Sequence, residues 1–164
     1  MSTTGKNHLL LIEYIKTHQE QFYRIAYSYV KNQHDALDIV QTSVEKALRA
    51  SDRIKEPKYL STWFTRILIN TSIDHLRKRK REVPMDEMDV WMGGVQEKSM
   101  DQLDLFDALD VLNPDEKSLV ILRFFEDLRF QDMAKVLDMN INTVKTKTYS
   151  ILKKLRMEWE GIEE

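Results

Sequence analysis

The chain has 164 residues, with 25 Lys and Arg against 27 Asp and Glu, no Cys, three Pro and four Gly. This length suits one ordinary domain or two small ones. No apolar run approaches the roughly 18 residues of a membrane span, and the N-terminus does not resemble a secretory signal. The lack of Cys excludes disulfides and thiol catalysis and predicts a cytoplasmic location. So few turn-forming residues favour an all-α fold.

Charge is distributed unevenly along the chain. Residues 1–82 carry a net charge of +6, residues 83–104 carry −5 and residues 105–164 carry −3. The middle segment contains a Pro and a Gly-Gly pair and has no hydrophobic period, which is typical of a flexible acidic linker. The sequence therefore predicts two small helical domains joined by this linker. Trp91 is unusual in a linker and is interpreted as a hydrophobic contact with a neighbouring domain.

Hydrophobic periods predict four helices in the first block. The first is the apolar run Leu9–Ile15. The second has the apolar stripe Phe22, Ile25, Ala26 and Tyr29. Asp35 is the expected N-cap of the third, whose period is carried by Leu37, Val40, Val44, Ala47 and Leu48. After a polar loop, a fourth helix is expected from about Leu60 to Arg81, capped by Ser61 or Thr62.

The second block begins with a helical repeat at Leu105, Phe106, Leu109 and Leu112. Asn113 and Pro114 then form a helix start, with Asn as the cap, Pro at the first helical position and Glu116 following. The expected core of this helix is Leu119, Val120, Leu122, Phe124 and Phe125. A helix at Phe130–Leu137, a three-residue turn and a final helix from about Asn142 have helix-turn-helix spacing.

The sequence contains no recognisable catalytic or cofactor-binding motif. The four His residues are scattered, and none lies at metal-ligand spacing from a second His or a carboxylate pair. A Gly-rich phosphate loop and a nucleophile elbow are also absent from the sequence. We therefore expect a protein without enzymatic activity, metal or cofactor.

The final helix has one face that is suited to DNA. Its expected buried arc is Val144, Thr148, Ile151, Leu152 and Leu155. The outward arc contains no acid and consists of Asn142, Thr143, Lys145, Thr146, Tyr149, Ser150, Lys153 and Lys154. Lysines neutralise phosphates, whereas amides and hydroxyls contact base edges in the major groove. An ordinary solvated helix face is the alternative interpretation.

A second candidate surface lies on the fourth helix. Asn70, Asp74 and Arg77 share a face with Trp63, and five consecutive basic residues, Arg77–Arg81, follow. Cations beside an aromatic ring suit single-stranded bases, which need a π surface as well as charge. A solvated helix end and a core position for Trp63 are the alternatives. Phe64 is expected to be a core residue.

These motifs resemble those of the extracytoplasmic-function sigma factors of RNA polymerase. Residues 35–41, 61–64 and 70–77 are similar to conserved region two of that family, and residues 112–116 and 142–147 to its region four. Residues 29–33 and 122–128 further resemble the sigma-V-like branch. The rival hypothesis is a free-standing helix-turn-helix repressor or activator, which needs a dimer interface and leaves the first block unexplained.

The resemblance implies a factor that binds core polymerase through its β′ and β subunits, directs it to promoters and opens the −10 element. The residues implied to dock the β′ coiled coil are Asp35, Asp38, Ile39, Gln41 and Val44. The loop 50–58 would hold a flipped −10 base. The residues implied for the −10 element are Ile54, Lys58, Trp63, Asn70, Asp74, Arg77, Lys78, Lys80 and Arg81.

For the −35 element the resemblance implies Asn142, Thr143, Lys145, Thr146, Lys147, Tyr149, Ser150 and Lys153. Asn142 stands where the family often has Gly, and Lys145 and Lys147 stand where Arg is common, so the −35 sequence preference is not transferable. The family also implies a membrane-bound anti-sigma partner, a role in envelope stress, and an acidic linker that enters the RNA path of the polymerase.

Overall fold

The computed structural model describes residues 3–82 and 105–163. Within these ranges the chain contains helices and no strand, and the helices form two compact units. The prediction of an all-α fold built from two small helical domains is confirmed. Among the described helices, none combines the length and apolar character needed to cross a membrane. The predicted linker and its Trp91 lie outside the described residues.

Within residues 3–82, the described part of the first unit, there are four α-helices. They are α1 (Thr3–Thr17), α2 (Gln19–Val30), α3 (Gln33–Arg49) and α4 (Leu60–Glu82). The connection between α3 and α4 includes two single 3₁₀ turns, Ser51–Arg53 and Pro57–Tyr59. Ser61 and Thr62, the expected caps of the fourth helix, therefore lie inside its first turn.

Aromatic rings form the centre of the first unit. The ring centroids of Phe22 on α2 and Phe64 on α4 are 4.3 Å apart, and both side chains are fully buried. Tyr14 on α1 lies against both rings, at 5.5 Å and 6.1 Å. Leu11 and Ile15 extend the α1 contact into the core. Phe64 is thus a core residue, as expected.

Helix α3 begins and packs differently from the sequence prediction. Its N-cap is Asn32, whose side chain accepts a hydrogen bond from the Asp35 amide at 3.0 Å, so Asp35 is not the cap. The buried stripe is Ala36, Ile39, Ser43 and Ala47. Leu37, predicted in the core, is 52% exposed. Small side chains at 36, 43 and 47 let the neighbouring helices approach closely, which the apolar period alone does not indicate.

The second unit ends in the predicted helix-turn-helix. Its elements are α5 (Leu105–Ala108), a 3₁₀ turn (Leu109–Val111), α6 (Pro114–Val120), a π turn (Ile121–Phe125), α7 (Phe130–Leu137) and α8 (Ile141–Glu163). Asn113 and Glu116 form a capping box with Pro114 at the first helical position, which confirms the predicted start of α6. The bounds of α7 are those predicted. The turn before α8 contains Asp138 in the left-handed conformation.

The π turn changes which aromatic residues are buried. Its hydrogen bond runs from the Glu126 amide to the Ile121 carbonyl at 3.2 Å, so the turn is one residue longer than an α turn. Leu122 is fully buried, whereas Phe124 is 46% exposed. The core assignment of Phe124 is therefore wrong, because the sequence prediction continued the α period through this turn. Phe125 is half-buried against the Phe106 ring, 4.6 Å away.

Lys117 on α6 is 6% exposed, and burial lowers its pKa to about 8 from the usual 10.5. Below pH 8 both the folded and the unfolded chain carry this proton, so burial of the charge costs up to about 3 kcal/mol. Between pH 8 and 10.5 the folded state loses the proton first, and stability rises with pH. Lys117→Met should therefore raise the free energy of unfolding most at pH 7.

The measurement is urea unfolding of the parent chain and of Lys117→Met at several pH values in this range, with circular dichroism as the signal. Because the difference between the two chains isolates position 117, titration of other groups cancels. We expect the advantage of Lys117→Met to shrink as pH rises from 8 to 10.5. A difference that stays constant with pH would show that the Lys117 charge is not destabilising.

Candidate polymerase and nucleic-acid interfaces

An exposed face runs along α4. Asn70, Asp74 and Arg77 are exposed, as predicted, and Trp63 is half-buried at the start of the same face. Arg66 is also exposed and lies three residues after Trp63 and four before Asn70, so it belongs to this face. Arg66 was not predicted as a site residue, although the helical spacing that identified its neighbours also includes it. The α4 face thus presents an aromatic ring, an amide and cations together.

The basic run at the end of α4 divides between two roles. Lys78, Lys80 and Arg81 are exposed and available to phosphates. Arg79 instead turns towards α3 and forms an ion pair with Asp35, in which both side chains are less than one-fifth exposed. His75 Nε2 lies 3.5 Å from the same Asp35 oxygen. One carboxylate of α3 therefore holds the last turns of α4.

The predicted docking residues on α3 are only partly at the surface. Asp38 and Gln41 are exposed and Val44 is half-buried. Ile39 is 1% exposed in the core, so its assignment to a docking surface is wrong. Asp35 is occupied by the contact to Arg79, and its carboxylate joins two helices instead of facing a partner.

Leu37 takes the place of Ile39 on the outer face of α3. It is adjacent to Asp38 and one turn before Gln41, with roughly half its surface exposed. An exposed leucine between polar residues is typical of a contact surface. Beside this face, α3 and α4 form an open cleft of about 930 Å³. The residues that line it include Asp38, Gln41, Asp74 and Lys78.

The loop between α3 and α4 presents a polar outer surface. The Ile54 side chain is 6% exposed, so it does not reach a base at the surface, contrary to its predicted role. Lys58 Nζ lies 3.3 Å from Glu56 Oε2 and 5.1 Å from the centre of the Tyr59 ring. The hydrogen bond to Glu56 and its negative charge raise the pKa of Lys58. Tyr59 is 59% exposed and was not predicted as a site residue.

Helix α8 has the two arcs that its sequence predicted. Val144, Thr148, Ile151 and Leu155 are buried, and Leu152 is half-buried. The outward residues are exposed at every predicted position, namely Asn142, Thr143, Lys145, Thr146, Tyr149, Ser150, Lys153 and Lys154. The backbone amide of Asn142 donates to Asn140 Oδ1 at 2.8 Å, so the Asn140 side chain caps the start of α8. The acid-free face is therefore accessible along several turns.

Tyr149 on this face is held by a stack of side chains from α7 and the π turn. Its ring centroid lies 5.7 Å from that of Phe130. The Arg123 guanidinium lies 4.8 Å from the centre of the Phe130 ring and donates to the Leu128 carbonyl at 2.7 Å. Arg123 and Phe130 were not predicted as site residues, because their contact depends on the π turn and on the loop geometry that follows it.

Lys147 and Lys154 face the start of α6. Lys147 lines a shallow cleft with Asn113, Asp115 and Ser150. Lys154 Nζ lies 3.6 Å from Glu116 Oε1, which partly neutralises its charge. Lys147 is exposed at the edge of the outward arc, and it was predicted from the family resemblance rather than from periodicity.

One side-chain group departs from the expectation that His residues lack metal-ligand neighbours. His34, Asp35 and Asp38 bring one ligand atom each within 4.8 Å of one another. Helical spacing of three and four residues produces this group at the start of α3. Because Asp35 is already paired with Arg79, the group is explained as part of the contact between α3 and α4.

Residues 14–82 match the family described as Sigma-70 region 2, and residues 102–155 match Sigma-70, region 4. The chain is 44% identical over 150 residues to RNA polymerase sigma factor SigV of Bacillus subtilis (strain 168), covering 91% of this chain and 90% of that protein. It is 32% identical over 148 residues to RNA polymerase sigma-E factor of Streptomyces coelicolor, and the match covers 89% of this chain and 84% of that protein. The solved sigma factor RpoE from Bartonella quintana, in complex with the anti-sigma factor NepR, has a TM-score of 0.72 at 25% identity, covering 90% of this chain and 95% of that chain.

A helical unit matching region 2 and a helix-turn-helix matching region 4 define a sigma factor, a transcription initiation factor and not an enzyme. Within that class, the chain belongs to the extracytoplasmic-function sigma factors of RNA polymerase. It binds core polymerase and directs transcription initiation from promoter DNA. The predicted family and the predicted role as a sigma factor are confirmed, and the rival prediction of a free-standing repressor is not supported.

The ion pair between Asp35 and Arg79 predicts that Arg79 stabilises the folded state more than its exposed neighbour Arg77 does. Arg79→Gln should lower the free energy of unfolding by about 2 kcal/mol, because it leaves a shielded carboxylate without its cation. Arg77→Gln is the matched control, since Arg77 and Asp74 are 3.9 Å apart and largely exposed. We expect a change of about 0.5 kcal/mol or less for the control. Equal effects in urea unfolding would contradict a special role for Asp35.

Proposed function

We propose that the two units divide the work of promoter recognition. Residues 1–82 bind core polymerase and the opened −10 strand, residues 83–104 connect the units, and residues 105–164 bind the −35 duplex. The observation that carries this proposal is the acid-free outward face of α8, within a block whose net charge is −3. Such segregation of charge suits a helix that enters a DNA groove.

Transcription in vitro tests the proposal as a whole. Core polymerase with the purified chain should initiate at a defined set of start sites, which core polymerase alone does not use. The chain alone should bind promoter DNA weakly, because its two surfaces act together only on the polymerase. Start-site selection that is unchanged when the outward face of α8 is altered would contradict the proposed −35 contact.

The outer face of α3 is the proposed docking surface for the β′ subunit. Leu37 offers apolar area, Asp38 a charge and Gln41 a hydrogen-bonding amide on neighbouring turns. A small apolar centre with a polar rim is the usual composition of a protein interface. Ile39 contributes indirectly, since its burial fixes the rotation of α3 that turns Leu37 outward.

Leu37→Asn should weaken binding of core polymerase about tenfold or more, because it removes the exposed apolar contact. Stability should change little, since the side chain is half exposed in the free protein. Leu9→Asn is the matched control, because Leu9 is 51% exposed on α1 and lies outside the proposed surface. Fluorescence anisotropy of the labelled chain, titrated with core polymerase, measures the affinity of both variants. Similar losses for the two variants would remove Leu37 from the interface.

The exposed face of α4 is the proposed site for the opened −10 strand. Trp63 offers a ring for stacking, Asn70 a donor and acceptor for a base edge, and Arg66 and Arg77 charges for the backbone. The cations Lys78, Lys80 and Arg81 continue the same basic helix end. Aromatic and cationic side chains together are the usual requirement for binding single strands.

Lys145→Ala and Lys147→Ala should each weaken −35 binding and reduce the salt dependence. The slope of log affinity against log salt should fall by about one for each lost phosphate contact. Lys154→Ala is the matched control on α8, because the Lys154 charge is partly neutralised by Glu116. Holoenzyme binding to promoter DNA at several salt concentrations provides the slopes. An unchanged slope would remove the lysine concerned from the interface.

Regulation by an anti-sigma factor is part of this proposal. The related RpoE from Bartonella quintana was solved with the anti-sigma factor NepR, which supports a partner of this class. We propose that a membrane-bound anti-sigma factor holds the chain inactive in the cytoplasm until envelope stress releases it. Affinity capture with the full chain, in cells with and without envelope stress, tests this. Capture that does not change with stress would contradict it.

A further inference from the structure

Helix α1 contacts the loop between α3 and α4 through two polar side chains, one buried and one half-buried. Asn7 is 3% exposed, and its Nδ2 donates to the Ile54 carbonyl at 2.9 Å, across 47 residues of sequence. The next residue, His8, shares a hydrogen bond with Ser51, with Nδ1 and Oγ 2.9 Å apart. Consecutive residues of α1 therefore hold two points of one loop. Both precede residue 14, where the match to region 2 begins.

The loop's own backbone bonds are local. The Arg53 amide donates to the Ala50 carbonyl and the Ile54 amide to the Ser51 carbonyl, which closes a single turn. Such short turns do not fix a loop relative to distant elements. The Ile54 side chain, 6% exposed, and the two contacts to α1 provide that fixation.

Helix α1 is itself firmly placed. Leu11 and Ile15 are buried on the side of the helix that enters the core. The Tyr14 hydroxyl donates to Ser61 Oγ at 3.0 Å, in the first turn of α4. The helix thus contacts two points within the loop, Ser51 and Ile54, and one point after it, Ser61.

The outer side of the same loop is exposed. Its exposed residues are Asp52, Arg53, Lys55, Glu56, Pro57, Lys58 and Tyr59. A surface that must hold one unstacked base gains affinity and selectivity when its backbone is fixed in advance. Buried contacts on the inner side and an open outer side are the arrangement that such a surface needs.

We infer that α1 preorganises this loop for the flipped −10 base, and that Asn7 is a positioning residue for base selection. The inference rests on the proposed function, in which residues 1–82 bind the opened −10 strand, and on the role that the family resemblance implies for this loop, which is to hold a flipped −10 base. Asn7 itself does not contact DNA. It acts through the Ile54 carbonyl, so its loss loosens the loop while the α4 face and the α3 docking face stay in place.

The test uses full-length chain with core polymerase on promoters in which each −10 base is replaced in turn. Asn7→Ala should reduce the discrimination between the preferred and replaced base at the loop position about tenfold, as expected for a lost buried hydrogen bond. Discrimination at the −35 element should not change. Hydrogen exchange of amides 51–59 should become about tenfold faster in the same variant.

Two variants separate positioning from general stability. Ile25→Val lowers stability in the α2 core and should leave base discrimination unchanged. Lys6→Ala changes an exposed neighbour on α1 and should have no effect. If Ile25→Val impairs discrimination as much as Asn7→Ala at equal stability, Asn7 is merely structural and the inference is overturned.

A variant of the loop surface distinguishes this inference from the proposed function. Tyr59→Ala alters the exposed side of the loop directly. If Tyr59→Ala changes base discrimination and Asn7→Ala does not, the inference fails and the loop retains its proposed role. If neither variant changes discrimination at any −10 position, the proposed base-binding role of the loop fails, and the inference fails with it.

Discussion

The contact between Asp35 and Arg79 connects the two surfaces of the first unit. Asp35 follows the start of α3, where the outer face begins, and Arg79 lies among the exposed cations at the end of α4. A second contact joins the same helices, from Lys46 Nζ to Thr71 Oγ1 at 3.1 Å. Because both helices also bury their inner faces, these contacts fix how far the proposed docking face of α3 is rotated from the proposed −10 face of α4.

In the second unit, contacts between planar side chains, instead of an ion pair, hold a surface residue in place. A planar guanidinium, a phenyl ring and a phenol ring lie in series from the π turn to α8. Planar groups in contact lose few conformations when a partner binds, so Tyr149 is presented with little further ordering. The buried arc of α8 fixes the position of the helix, and this stack fixes the direction of one exposed side chain on it.

The sequence predicted the elements of the fold better than the rotation of its helices. Local signals identified α6, α7 and α8, since a capping box, a helix-turn-helix spacing and a clean apolar arc depend on nearby residues. The exchange of Leu37 and Ile39 could not be predicted, because small residues decide how α3 packs. The helical spacing of α4 could have identified Arg66 from the sequence. The contact from Asn7 to Ile54 could not be identified in this way, because it depends on the tertiary fold. Lys147 was predicted as a −35 residue from the family resemblance, because helical periodicity placed it only at the edge of the outward arc of α8.

The π turn gives the second unit a defined place for a change in chain length. An i to i+5 bond contains one residue more than an α turn, so deleting one residue between Ile121 and Phe125 would restore the ordinary helical spacing. Because the π turn takes up its extra residue within one turn, the elements that follow would keep their orientation relative to α6, and only the backbone of the turn would change. That backbone places Arg123 against the ring of Phe130, which in turn contacts Tyr149. A homologue without the extra residue should therefore orient the side chain at the position of Tyr149 by other means.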